Sequence, residues 1–337
     1  MLMQSYLDSL AYYLVPLINK MRATATFSLC IPLMVSAQNQ AQISTANQQL
    51  RGPVLISDLG VSKYNVEDGD VPTPDVTYVT GRVNLIVLTE SGCSNCQDSV
   101  AGPLNAMITS PGFADIINLK QFSFGNHYFV TQKCGGNGAN NQTASGYNLN
   151  YSAETRHCWA NNCINTVDPM DDCFGPGSIV TQHGPKEIEY NMMQACAQRV
   201  AGYDNWLDYW PFLVCTEANY GSPFDSNTVE TAKKCADEEG SYYQDKIFEL
   251  LVCYENSDGD ELVKMAMKTF DHPGTPTILV NGNSPLLLEF WVDAVAAEVC
   301  YEYSGSSPPP ACADLLEKRT KFMYETEKAI ESIVHGN

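Results

Sequence analysis

Cys93-Ser94-Asn95-Cys96 sets two thiols two residues apart, a spacing at which they can form and break a bridge with each other. The pair follows the apolar run Val83-Asn84-Leu85-Ile86-Val87-Leu88, which predicts a buried strand that ends in the CxxC and enters a helix. At a helix N-terminus, unpaired backbone N–H groups and the dipole favour the thiolate of the first cysteine. That thiolate is the species that attacks a substrate disulfide. A fixed structural bridge, or half of a zinc site, would show the same spacing. Zinc would want a second close pair, and Cys158-x4-Cys163 and Cys163-x9-Cys173 supply none with a histidine in the usual arrangement. Cys93 and Cys96 are therefore the catalytic candidates, with no metal expected.

A second element stands far along the chain, at Gly274-Thr275-Pro276-Thr277, ahead of Ile278-Leu279-Val280. Proline is tolerated at the first residue of a strand, where a cis Thr-Pro bond would turn the chain; a trans turn proline is the alternative. In thioredoxin-like proteins a cis-proline loop faces the CxxC and offers backbone groups to the substrate. Thr275 and Pro276 are candidates for that contact.

The third element runs Gln182-His183-Gly184-Pro185-Lys186-Glu187-Ile188-Glu189-Tyr190-Asn191 and continues to Cys196. It resembles the signature of the gamma-interferon-inducible lysosomal thiol reductases, C-Q-H-G-x-x-E-C-x-x-N-x-x-x-x-C. Gln182, His183, Gly184, Glu187, Asn191 and Cys196 match at the family's spacing, as do the upstream CxxC and the tail with Pro276, Val280-Asn281-Gly282, Val299-Cys300, Pro310 and Cys312. The resemblance covers residues 83 to 312. It implies disulfide reduction by Cys93 and Cys96, a structural role for the signature residues, and a structural bridge involving Cys300 and Cys312. Thr181 and Ile188 stand where the family has cysteines, and their joint loss is what a bridge between those two would produce. His183 admits two readings, a proton-transfer group or, as we favour from sequence, a residue ordering the turn beside Gly184.

These elements need a scaffold, and the pattern predicts an α/β, thioredoxin-like fold with a helical, disulfide-rich insertion. Residues 83–133 form the first half: a strand at 83–90, a helix from Ser94 to Met107 kinked at Gly102-Pro103, and a strand from Phe122 to Thr131. Residues 134–265 hold the insertion. Its first part, 134–178, reads as a loop with little helix or strand, pinned by Cys134, Cys158, Cys163 and Cys173; from Glu187 to Leu251 it turns helical, with Cys196, Cys215, Cys235 and Cys253. Residues 266–312 form the second half: a strand at Thr277 to Val280, an Asn281-Gly282 hairpin turn, a return strand over Leu286 to Leu288, and a helix from Glu289 to Tyr301. A charged helix at 313–337 ends the chain.

Residues 1–37 read as an N-terminal extension followed by a signal peptide. Met21-Arg22 opens an apolar stretch from Ala23 to Met34 that ends in Val35-Ser36-Ala37, a small-residue cleavage site. An amphipathic anchor around Tyr12 to Ile18 is the alternative. Cleavage would remove Cys30 and leave twelve of the thirteen cysteines. A polar leader spans 38–82. The sequons Asn141-Gln142-Thr143 and Asn150-Tyr151-Ser152 make Asn141 and Asn150 candidate glycan sites.

The 337-residue chain has 39 acidic against 19 basic residues, a formal net charge of -20, which opposes nucleic acid as a partner. Its cysteine usage points to an oxidising compartment: the secretory pathway, ending in a lysosome-like or endosomal lumen or outside the cell. No run after the signal reaches the length of a membrane span. The expected partners are disulfide-bonded protein substrates and a small-thiol or protein reductant. No cofactor is expected, because an external thiol reductant closes the cycle. A disulfide isomerase or oxidase of the secretory pathway, and a secreted binding protein with a structural CxxC bridge, are the rival readings.

A requirement on acidity follows. A free thiol with a pKa of about 8.5 is only about 0.03% thiolate at pH 5, so an acid-working reductase needs that value depressed. No Lys, Arg or His lies near Cys93 in sequence, so the helix end and tertiary neighbours must depress it.

Overall fold

The computed structural model describes residues 79, 81–138, 148–175, 179–221, 227–256, 258–269, 271–272, 274–283 and 293–335. The expected extension and signal segment, nearly all of the polar leader, the Asn141 sequon and the return strand at Leu286 to Leu288 lie outside these residues.

The chain is α/β, and its central strand is β1 (Val83–Thr89), buried along its whole length. A strand covered on both faces needs an uninterrupted apolar run, which Leu85, Ile86, Val87 and Leu88 supply. Strand β2 (Ile117–Ser123) pairs parallel on one side, with Val83 opposite Ile117 and Thr89 opposite Ser123. Strand β5 (Thr277–Val280) pairs antiparallel on the other, from Leu85 opposite Val280 to Leu88 opposite Thr277. The sheet order is β2-β1-β5. Asn281 and Gly282 both have positive φ, as a tight hairpin turn requires, and Val280 bridges to Asn283.

Between β1 and β2 the chain is helical. Helix α1 (Ser94–Ser99) leads into a π-turn over Val100–Leu104, then α2 (Asn105–Thr109) and a short α3 (Phe113–Ile116). The backbone breaks at Gly102, whose φ of -102° and ψ of -110° are non-helical, directly before the proline that cannot donate to the ladder.

The expected strand from Phe122 to Thr131 is not one element. The long strand is β2, which begins five residues earlier, at Ile117, and a two-residue strand β3 (Tyr128–Phe129) pairs instead with β4 (Ile179–Val180). Asn118, Lys120 and Gln121 hid β2 by interrupting its apolar run. They are buried yet satisfied: Asn118 Nδ2 donates to Asn84 Oδ1 at 2.9 Å, Lys120 pairs with Asp204, and Gln121 bonds Thr89 and Gln198. Gly125, at φ 60°, separates the two strands; a Cβ there would lie 2.5 Å from Glu90 Cγ and 2.8 Å from Glu187 Oε1.

The insertion contains α4 (Ala153–Cys163), α5 (Pro185–Ala201), α6 (Trp206–Asn219), α7 (Thr228–Ala236), α8 (Ile247–Glu255) and α9 (Asp258–Thr269). Helix α4 corrects the reading of 134–178 as a segment with little helix. Ser152 caps it by accepting from Thr155 N at 3.1 Å, with Glu154 in the first turn. Two bridges tie this helix to its flanking segments, Cys134–Cys158 at its middle and Cys163–Cys173 at its C-terminal end. Cys196–Cys253 joins α5 to α8, Cys215–Cys235 joins α6 to α7, and Cys300–Cys312 joins α10 (Ala294–Glu302) to the start of α11 (Cys312–His335). Among the described residues no helix is long and apolar enough to cross a membrane.

Helix α4 also reaches the segment that precedes β5. Buried Arg156 donates from Nη1 to the carbonyl of His272 and from Nη2 to Asp271 Oδ1, each at 3.0 Å. His272 Nε2 in turn lies 2.9 Å from the carbonyl of Gly125. Arg156→Met keeps the buried stem and removes these donors, so it should cost about 2 to 4 kcal/mol of stability. Urea unfolding checks this; a loss under about 0.5 kcal/mol would show that the guanidinium braces nothing.

Candidate functional site

The end of β1 delivers two buried polar residues, Glu90 and Ser91, to a turn at Gly92, whose φ of 81° suits glycine. Cys93 is the next residue and caps α1. Its N–H donates to Glu90 O at 3.1 Å, and its carbonyl accepts from Gln97 N at 2.9 Å. Cys93 and Cys96 are the only free cysteines among the described residues. Cys93 is partly exposed, whereas Cys96 is buried and its sulfur accepts from the backbone N–H of Glu90 at 3.3 Å.

This asymmetry fixes which sulfur is ionised. The Cys96 thiol donates to Cys93, His183 adds a hydrogen bond and a favourable charge, and the backbone N–H of Cys96 contributes; against partial burial, these hold Cys93 at about 4. Burial, its hydrogen bond to Cys93 and the negative charges of Cys93, Glu90 and Glu217 push Cys96 the other way, well above a free thiol. The partly exposed sulfur is the more readily ionised of the two, and the buried one retains its proton.

His183, when protonated, supplies the positive charge that the sequence near Cys93 lacks. Besides its place in the turn at Gly184, it reaches Cys93 from the loop before α5, and its Nε2 lies 3.3 Å from Glu90 Oε1. The rest of the signature gathers around the same strand end. Gln182 Oε1 accepts from Asn126 Nδ2 at 2.6 Å. Glu187 accepts from His183 N at 2.7 Å and pairs with the buried His127. Asn191 Oδ1 accepts from Ser91 N and from Ser123 Oγ, both at 2.9 Å. Gly184 takes a φ of 90° at the start of α5, and its carbonyl accepts from Thr181 Oγ1 at 2.6 Å. Cys196, on the same helix, is spent in its bridge to Cys253.

Glu90 links this cluster to the second half of the sheet. Its Oε2 accepts from Asn126 N at 3.3 Å, Asn126 Nδ2 at 2.9 Å and Thr275 Oγ1 at 2.9 Å. The Thr275–Pro276 peptide bond is cis. A groove of about 1000 Å³ is lined by Asn95, between the two cysteines, and by Thr275 and Pro276. Asn150 lies outside this cluster, half-buried beside Tyr128.

Three buried carboxyls surround the thiols. Burial and the neighbouring Glu187 push Glu90 well above the carboxylate range; burial, opposed by a hydrogen bond from Glu90, raises Glu187 to about 8; burial, opposed by a hydrogen bond from Gln194, raises Glu217 to about 8. Burial lowers His127 to about 4. Sequence reasoning missed Glu90, Asn126, His127 and Glu217. Glu90 did leave a signal, a lone carboxylate closing an apolar strand three residues before the CxxC. Glu217 left none, being one acidic residue in a long helical insert.

Comparison with known proteins bears on this cluster. Residues 174–239 match the family model of gamma interferon inducible lysosomal thiol reductase. That match supports the family resemblance, and it spans the segment contributing Gln182, His183, Glu187, Asn191 and Glu217. It stops short of Cys93, Cys96 and Thr275-Pro276, which the fold brings to the family segment. No curated protein matches the chain.

Two outcomes follow from the charges. Alkylation of Cys93 should show a pH midpoint near 4, and His183→Gln should raise it by about one unit or more. A wild-type midpoint at the free-cysteine value would remove the basis for acid activity. Stability should also vary with pH. Each raised carboxyl stabilises the fold fully below about 4.5 and loses that contribution as pH climbs through its folded value, about 8 for Glu187 and Glu217. Cys93 has the opposite sign, contributing above 9 and losing it down to about 4, as do His127 and His272, which contribute above 6.5 and lose it down to about 4. Three groups oppose three between 4.5 and 6.5, whereas between 6.5 and 8 three carboxyls face one thiol. Denaturant unfolding of the reduced chain should therefore show a plateau from pH 5 to 6.5. A decline to pH 8 follows, at most about 1.4 kcal/mol per pH unit for each net proton; rising stability over that last interval would mean that the carboxyls ionise freely in the fold.

Proposed function

We propose that this chain is a thiol–disulfide reductase acting on disulfide bonds in protein substrates, on a thioredoxin-like scaffold. The observation that supports it most is the division of labour at the CxxC: an exposed sulfur held ionised by Cys96 and His183, beside a buried sulfur held protonated. The family match carries thiol reductase in its description, which accords with reduction as the direction.

In the first step the Cys93 thiolate attacks one sulfur of the substrate disulfide, forming a Cys93–substrate bond and releasing the other sulfur as a thiolate that takes up a proton. Negative charge at Cys93 disappears at that moment. That charge is one of the factors raising Cys96, Glu90, Glu187 and Glu217, so its loss lowers all four and eases release of the Cys96 proton. Cys96 then attacks the Cys93 sulfur and breaks the bond to the substrate, whose second sulfur leaves and is protonated. One proton comes from Cys96 and one from solvent; two electrons pass from the enzyme thiols to the substrate. An external thiol, itself oxidised to its disulfide, reduces the Cys93–Cys96 bridge and completes the cycle without a cofactor.

Roles for the other candidates follow from their contacts. Thr275 and Pro276 receive the substrate chain, held in place by the Thr275 hydrogen bond to Glu90. His183 stabilises the thiolate, and Gln182, Glu187 and Asn191 keep the end of β1 in register with the loop at Asn126. Five disulfides among the described residues fit synthesis in the secretory pathway, and the lysosomal term in the family description suggests an acidic lumen. The signal segment and glycans at Asn141 and Asn150 belong to the same proposal.

Reduction of insulin at pH 5 and pH 7 with a small thiol donor tests it. Wild type should turn over at both, Cys93→Ser should fall at least about a thousandfold, and Cys96→Ser should accumulate mixed disulfides through Cys93. Reactivation of scrambled substrate without net thiol consumption would assign an isomerase instead. A Cys93–Cys96 bridge that resists mild reductant would assign a binding protein.

A further inference from the structure

The groove beside the CxxC extends well beyond the reacting atoms. It runs from Asn95 and Pro276 over an apolar floor that includes Met107, Ile278 and Leu315 to the first turns of α11. At about 1000 Å³ it is at the upper end of the volumes that enclose a small molecule, and Asn95, between the two cysteines, contributes to its wall. Its charged lining consists of three aspartates and one lysine. Asp293 and Lys318 face each other at 3.4 Å and neutralise one another. Asp98 and Asp314 are exposed, and neither has an ion-pair partner among the described residues. The uncompensated charge of the lining is thus negative, from one aspartate on the CxxC helix and one on α11. The chain's net charge of -20 acts in the same direction at longer range.

We propose that this groove binds the polypeptide flanking the scissile disulfide and selects flanks that combine apolar residues with lysine or arginine. This specificity rests on the reductase reading of the same site. A cationic flank would gain attraction to Asp98 and Asp314 while its apolar neighbours cover the floor; an acidic flank would meet repulsion from both. The effect belongs to binding, so it lies in KM rather than kcat.

The test uses the full chain and two disulfide-linked peptides of identical apolar sequence, one with lysines and one with glutamates two to four residues from the cystine. At low salt the lysine peptide should have a kcat/KM about tenfold higher, through KM, and the ratio should fall towards one in 0.5 M NaCl. Asp98→Asn with Asp314→Asn should reduce the ratio at low salt at least about threefold; because both peptides are read on the same variant, a general loss of activity cancels. Hydroxyethyl disulfide, which is uncharged and has no flank, separates the two layers. If wild type reduces it but treats both peptides alike, or if the ratio survives in the double variant, the groove assignment is overturned and the reductase reading stands. If wild type fails to reduce even hydroxyethyl disulfide, the reductase reading fails and the groove assignment with it.

Discussion

A negative charge on a half-buried sulfur must be balanced by groups that the protein cannot draw from nearby sequence, and that constraint organises the structure around Cys93. The local chain offers no cation, so the compensation is a hydrogen bond from Cys96 and an imidazole ninety residues away. Bringing His183 there requires α5 to start in the right place, which Gly184 and Pro185 determine through a positive φ and a proline suited to the first helical position. It also requires the strand end to be rigid. Glu90, Ser91 and Asn126 are each held by partners from other elements, and Gly125 lets β1 and α5 approach closer than any side chain would allow. Carboxyls packed this densely cannot all ionise, so they remain largely protonated at acid pH and spare the thiolate their repulsion.

The insertion has a structural logic of its own. Its bridges are local, each joining two helices of the insert or tying α4 to a flanking loop, so the insert is stapled within itself rather than to the sheet. Its connection to the sheet is polar and specific. Arg156 holds the backbone at His272, His272 reaches Gly125, and Gly125 adjoins Asn126, which hydrogen-bonds Glu90. The same stretch leads into Thr275 and Pro276. Cysteines surplus to the family signature therefore stabilise the helix whose arginine positions the segment leading into Thr275 and Pro276.

Legibility from sequence followed physical range. The CxxC, the β1 run, the break at Gly102-Pro103 and the Asn281-Gly282 turn all depend on interactions within a few residues, and all were readable. β2 was not, because its polar residues are buried against Asn84, Thr89, Gln198 and Asp204, partners that only the tertiary fold supplies. α4 was hidden by glycine- and asparagine-rich flanks, although Ser152 ahead of Glu154 was a usable start signal. The signature residues were identifiable by spacing, yet their purpose was not: nothing in the sequence near Gln182 indicates that Asn126 and Glu90 wait beside it.

The direction of the reaction turns on pH through the same charge. Stabilising the Cys93 thiolate stabilises the reduced pair, which by itself makes a dithiol more oxidising. With a Cys93 value of about 4, that advantage over ordinary protonated thiols spans about three pH units at pH 7 and only about one at pH 5. Two decades of equilibrium constant are therefore recovered on acidification, about 60 mV towards reduction for a two-electron couple. The thiolate meanwhile stays about nine-tenths ionised at pH 5, so nucleophilicity is kept while the oxidising bias is shed. A pair tuned this way is less oxidising at acid than at neutral pH, under conditions where an unperturbed thiol is almost wholly protonated.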